Sequence, residues 1–160
     1  MKKVTRTLLT VLAVSAFSLV TVSVQGQDQK VEKDFGDYSS HYLLDKAWAA
    51  LEANNIADTI IFTNKVLELY EEEAVEMQAM TTDFPKGSTE EIVKNWWALN
   101  DVATALYIQG EIYRKNEMFD KAKEAYQRVI VDFPNGQTWD EQGWFWKPAK
   151  AAKEKLLELP

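Results

Sequence analysis

Carboxylates beside aromatic rings are the first residues of this chain that could do chemistry. Asp140 and Glu141 lie between Trp139 and Trp144, and Glu90 and Glu91 lie shortly before Trp96. Two carboxylates on opposite sides of a sugar can run glycoside hydrolysis. Indole faces stack on sugars and on peptide side chains. Neighbours in sequence do not span a substrate, however. Acids in the first turn of a helix have a simpler role, complementing the helix dipole. No nucleophile or metal pattern accompanies them. The expectation is a non-enzyme with no catalytic residue.

The remaining reactive side chains point the same way. His41 is the one histidine and the chain has no cysteine, so no metal site and no cofactor is expected. Ser39 and Ser40 suit helix caps better than nucleophiles. There is no Gly-rich phosphate loop and no EF-hand spacing. Glu71, Glu72, Glu73 and Glu76 form an acidic run, read as a solvated face or a site for a basic partner. Tryptophan is the compositional outlier: Trp48, Trp96, Trp97, Trp139, Trp144 and Trp146. The stretch from Trp139 to Trp146 either seals the end of a short array or offers Trp139, Trp144 and Trp146 as an aromatic recognition surface.

Helices must position these residues. Asp34-Phe35-Gly36, Asp83-Phe84-Pro85 and Asp132-Phe133-Pro134 open three segments of similar character. The last two run on into Lys86-Gly87 and Asn135-Gly136, and Pro with Gly ends a helix and turns the chain. Ser88-x-x-Glu91 and Thr138-x-x-Glu141 then read as capping boxes. Between the turns, apolar residues recur at helical spacing: His41, Leu44, Trp48 and Leu51; Ala103, Leu106, Gly110 and Tyr113; Ala149, Ala152, Leu156 and Leu159. The pattern predicts helices over about 39–53, 56–82, 89–115, 118–133 and 147–159, with Pro148 in the first turn of the last. A helical turn is expected near 139–145, and no strand.

One stretch carries a family pattern. Leu106, Gln109, Gly110 and Tyr113, then Ala122 and Tyr126, then Pro134 resemble the tetratricopeptide repeat signature Trp-x-x-Leu-Gly-x-x-Tyr, Ala-x-x-x-Phe, Pro. Leu106 replaces Trp, Gln109 replaces Leu, and Tyr126 stands in for Phe. Small Gly110 and Ala122 would let paired helices approach, and Pro134 lacks the donor to continue the second helix. The resemblance implies an all-α, short and irregular helical-hairpin array: units about 37–85 and 88–136, and a C-terminal cap over 138–160. In that family ligands lie along the first helix of each pair. Carried over from Gly110, this gives Tyr107, Glu111 and Arg114 as a partner-binding groove. In the first unit, Trp48 set in the place of Gly110 gives Asp45, Ala49 and Glu52, with Ile60 in the place of Ala122. A groove so lined is mostly acidic and suits a protein or peptide segment.

The N-terminus speaks to compartment. Lys2, Lys3 and Arg6 precede an apolar run from Leu8 to Val24, followed by Gln25-Gly26, the order of a secretory signal. Residues 1–26 read as a cleaved signal peptide and 27–36 as a polar tether, so the protein is expected to be exported, periplasmic or secreted in a bacterium, without stable membrane insertion. Residues 1–26 hold three of the 18 basic residues and none of the 25 acidic ones, so the remainder carries 15 against 25, a net −10. That balance argues against nucleic acid as partner. The residues together point to a scaffold for protein–protein interaction, with oligomerisation open. A secreted glycan-binding or carbohydrate-active protein using residues 139–146 is the alternative.

Overall fold

A computed structural model describes residues 33–140 and 142–160. The expected signal peptide, most of the tether and Glu141 lie outside the described residues. The order is α1 (Ser40–Glu52), α2 (Ile56–Ala79), α3 (Thr89–Asn95), α4 (Trp97–Lys115), α5 (Phe119–Asp132), β1 (Thr138–Asp140), β2 (Trp144–Trp146) and α6 (Pro148–Leu157). The fold is the all-α hairpin array expected. Helices α1 and α2 pair, α4 and α5 pair, and α6 closes on α5.

Local chemistry sets the helix starts. Ser39 caps α1, its hydroxyl accepting from the Tyr42 amide at 3.3 Å. Asn55 caps α2 in the same way, accepting from the Asp58 amide at 3.1 Å. The Ser88–Glu91 capping box forms with both of its bonds. Pro148 takes the first position of α6, where a missing N–H costs nothing. Ahead of α1, Lys33 pairs with Asp58 at 2.6 Å and Phe35 packs edge-on to Phe62 at 5.9 Å. The end of the expected tether is therefore held against α2.

Helix α4 is the axis of the molecule. Thirteen of its residues are buried, because it packs against α1, α2, α5 and α6 and not on one side only. Its small residues permit this. A Cβ added at Gly110 would lie 2.2 Å from Tyr126 Cε1. Gly136, in the turn after α5, sits so close to α4 that a Cβ there would be 2.7 Å from Ala103 Cβ. The buried polar atoms are all partnered among the described residues. Asn100 accepts from the Gln137 amide at 2.9 Å, and Gln137 donates to the Pro85 carbonyl at 2.6 Å. These bonds tie the two Pro–Gly turns together.

Three sequence expectations are corrected. The helix expected over 89–115 breaks at Trp96, whose φ of −125° and ψ of 20° are not helical. The break lets consecutive Trp96 and Trp97 both pack on the core, which one continuous helix resists because neighbours point about 100° apart. Residues 138–146 form an antiparallel hairpin, not a helical turn, pairing Thr138 with Trp146, Trp139 with Phe145 and Asp140 with Trp144. Trp and Phe favour a pleated surface, and the Trp139 and Phe145 rings meet across it at 5.1 Å. Thr138 is therefore a strand residue, not a helix cap. His41, placed on an apolar stripe, is exposed and faces Asp45 at 3.5 Å.

The register of the first hairpin is corrected too. Asn54 and Glu117 both adopt left-handed φ, 52° and 58°. Asn54 N donates to Leu51 O and Asn55 N to Ala50 O; Glu117 N donates to Arg114 O and Met118 N to Tyr113 O. The two turns thus share one geometry, 63 residues apart. Gly110 then corresponds to Ala47, not Trp48, and Ala122 to Thr59, not Ile60. Ala47 and Thr59 are both fully buried. Small Ala47, not bulky Trp48, therefore takes the place of Gly110 in the first hairpin.

Candidate functional site

The side of the array formed by α1 and α4 is walled by the β-hairpin. Trp146 makes the join. Its indole stands edge-on to Tyr107 of α4 at 4.8 Å and to Trp48 of α1 at 6.3 Å. Thr138, opposite Trp146 in the hairpin, bonds the Thr104 hydroxyl at 2.7 Å. These contacts leave a groove of about 860 Å³ lined by Trp48, Leu51, Glu52, Thr104, Tyr107, Glu111, Thr138, Trp139, Asp140, Gln142 and Trp146. Four aromatic rings and three carboxylates meet there, and among the described residues no Lys or Arg lines it.

The expected groove residues are placed unequally. Tyr107, Glu111 and Glu52 line it. Asp45 does not; its side chain is 65% exposed beside His41. Ala49 is exposed and outside the lining. The corrected register accounts for this: Tyr107, Glu111 and Arg114 correspond to Leu44, Trp48 and Leu51, of which Trp48 and Leu51 line the groove. Sequence reasoning missed Trp48 as a groove residue because the match was set one residue late. The turn residue Asn54, which tolerates left-handed φ, was the signal that could have fixed it.

Glu111 lines the groove yet is largely buried. Its side chain is only 13% exposed. Arg114 donates to it twice, Nε to Oε1 at 3.1 Å and Nη2 to Oε2 at 2.8 Å, and the Tyr126 hydroxyl donates to Oε1. Burial works against the charge, yet the Arg114 and Tyr126 hydrogen bonds outweigh it and hold the carboxyl below its ordinary range. Tyr107, burying its ring beside Glu111, has its phenol pushed up to about 12. Of these residues Tyr107 and Glu111 line the groove, and Arg114, expected there, does not.

The tryptophans differ in how far they are packed into the protein. Trp48, Trp96, Trp97 and Trp146 pack against the core. Trp139 and Trp144 are 39% and 50% exposed. Trp139 faces the groove. Trp144 lines a smaller hollow of about 370 Å³ with Phe145, Trp146, Lys147, Lys150, Ala151 and Glu154. Of the acidic run, Glu71 pairs with Arg128, while Glu72, Glu73 and Glu76 are exposed. Among the described residues no group of three or more His, Asp or Glu could hold a metal ion, and no helix is long and apolar enough to cross a membrane.

Comparison with known proteins gives one match. Residues 104–136 fit the tetratricopeptide repeat family profile. A search of curated proteins and one of solved structures gave no match. The matched span runs from within α4 through α5 to Gly136, and it contains Gly110, Tyr126 and the turn at Glu117. Such repeats generally bind protein partners and are typically not catalytic. Residues 104–136 therefore match the tetratricopeptide repeat family, within a short and irregular all-α helical array that is tetratricopeptide-like.

Proposed function

We propose that this chain is an exported, non-enzymatic scaffold that binds a protein or peptide segment in the groove between α1, α4 and the β-hairpin. The observation that carries the reading is the groove itself. It lies along the first helix of each pair, it is about 860 Å³, and it is edged by the partly exposed Trp139. That size is near the upper end for a small-molecule site. The order of charged, apolar and small residues at the N-terminus supports export.

Two experiments test the two halves. Capture of partners from a bacterial envelope extract, followed by cross-linking, should give a partner whose yield falls with Trp139→Ala and with Glu52→Arg. Both side chains line the groove and are exposed, so the fold should survive the changes. A partner retained equally by both variants would place binding elsewhere. For export, the mature protein should begin near Gln27 and be released without detergent; Met1 at the N-terminus of membrane-bound protein would refute it.

A further inference from the structure

We infer that the groove takes a cationic side chain, Lys or Arg, of an extended polypeptide, held against the Trp139 and Trp146 rings with Glu52 and Asp140 as counter-charge. The inference rests on the groove being the partner site and adds the chemistry of what enters it.

Charge complementarity is the first argument. Glu52, Glu111 and Asp140 line the groove with no cation among the lining residues. The charge of Glu111 is already committed to Arg114 and Tyr126. Glu52 and Asp140 make no ion pair among the described residues. Among the described residues the Asp140 carboxylate accepts only a local bond, from the Gln142 amide at 2.8 Å. Glu52 also ends α1, a helix with no basic residue in its last turn. A carboxylate there stands at the negative pole of the helix. Lys115 reaches the Leu51 carbonyl at 3.0 Å, which covers that carbonyl but is not among the groove's lining residues. The position of Glu52 is costly for the helix alone and favourable for attracting a cation.

The aromatic walls give the second argument. This protein places its own lysines over rings in several places: Lys33 on Phe62, Lys46 on Tyr42, Lys65 on Phe35, Lys121 on Tyr113, and Lys147 on Phe84 at 3.7 Å. Among the described residues none sits over Trp48, Tyr107, Trp139 or Trp146. Indole is the best of the aromatic partners for a cation, so the groove sets indole rings that carry no cation of this chain's described residues beside two carboxylates without an ion pair there. A polypeptide fits better than a lone amine, because a groove of about 860 Å³ is larger than one side chain and exposed Gln142, which lines it, offers an amide to a backbone.

The test is selection from a random twelve-residue peptide display library on the purified full chain. Selected peptides are then made synthetically, each with a version in which its Lys or Arg is norleucine. Binding is read by calorimetry at low and high salt. Lys or Arg should be enriched at one position, and norleucine should weaken binding at least about tenfold. Glu52→Gln with Asp140→Asn should weaken the parent peptide similarly and leave the norleucine peptide unchanged. Both substitutions keep size and hydrogen-bonding capacity, and a thermal melt confirms the fold. Enriched peptides without a basic residue, or binding indifferent to the double variant, overturn the inference. If such peptides still lose binding in Trp139→Ala, the groove stands and only its cation preference falls. If nothing selected responds to Trp139→Ala, the groove reading falls as well. Glucan or peptidoglycan oligosaccharides that bind equally well to the double variant would also overturn the inference, in favour of a glycan site.

Discussion

Gly110 of α4 lies against the ring of Tyr126 of α5, so close that a Cβ would stand 2.2 Å from Cε1 and 2.4 Å from Cδ1. The ring cannot give way. Tyr126 is fully buried and its hydroxyl is tied to Glu111. Gly110→Ala should therefore destabilise the protein, although alanine is the better helix former by about 1 kcal/mol. Overpacking of a filled site typically costs ~1–3 kcal/mol, so the clash wins. A thermal melt comparing wild type, Gly110→Ala, Tyr126→Leu and Gly110→Ala/Tyr126→Leu checks this. With Tyr126→Leu alone as reference, adding Gly110→Ala should cost less than it does in wild type, because the smaller side chain vacates the contact.

Glu111 predicts a larger loss than its place on a groove suggests. Glu111→Leu leaves Arg114 and the Tyr126 hydroxyl without their acceptor in a half-buried site. Breaking one side of such an arrangement costs on the order of 3 kcal/mol. Glu111→Gln keeps an acceptor and should cost less. Denaturant unfolding of the three proteins at neutral pH measures the order. The carboxyl is held below its ordinary value, so its contribution is present above the unfolded-state range and is lost as pH falls through the folded value. The gap between wild type and Glu111→Gln should close in acid.

How far the sequence could be read is clear from these two positions. Gly110 was legible because spacing to Tyr113, Ala122 and Pro134 fixed its register, and close approach is what glycine does. The partners of Glu111 were not. A helical register says which face a residue takes, but not that Arg114 one turn on and Tyr126 on the next helix would close over it. The same limit shifted the first hairpin by one residue, since Trp48 looked equivalent to Gly110 by stripe alone. The turn at Asn54 decided the matter. The β-hairpin at 138–146 was missed because three-residue strands are too short for alternation to show.

Gln109 is a departure from the repeat pattern with a visible reason. Its amide donates to Thr63 Oγ1 at 3.0 Å and Asn64 Oδ1 at 2.8 Å, bridging α4 to α2. Restoring the pattern with Gln109→Leu removes a donor but strands little. Thr63 keeps its own bond to the Thr59 carbonyl at 2.8 Å, and Asn64 is exposed to water. The cost should stay under about 1 kcal/mol, whereas Gln109→Ala opens a cavity and should cost more, ~2 kcal/mol. Equal losses in a chemical melt would mean that the hydrogen bonds, not the volume, matter here.

Asp101 gives the clearest dependence on pH. It lies on α4 and accepts from the Ser40 hydroxyl at 2.5 Å, linking α4 to the first residue of α1. Burial raises its carboxyl to about 6, against the hydrogen bond from Ser40 and the proximity of His41, which pull it down. The folded value lies above the unfolded one. The folded protein therefore prefers the protonated acid, and the stability it lends is complete below about pH 4 and lost as pH rises through about 6. Asp101→Asn keeps an acceptor for Ser40 and carries no charge. Relative to wild type it should gain stability between pH 4 and 7, by on the order of 2–3 kcal/mol for a shift of this size. Glu111, Glu91 and Asp37 have lowered values and act in the opposite sense, so the absolute pH profile mixes both. The difference between wild type and variant isolates Asp101. Urea unfolding of the pair at pH 4, 5, 6 and 7 measures it. A difference that stays flat across that range would mean that Asp101 is ionised throughout, with water reaching the carboxylate beside Ser40.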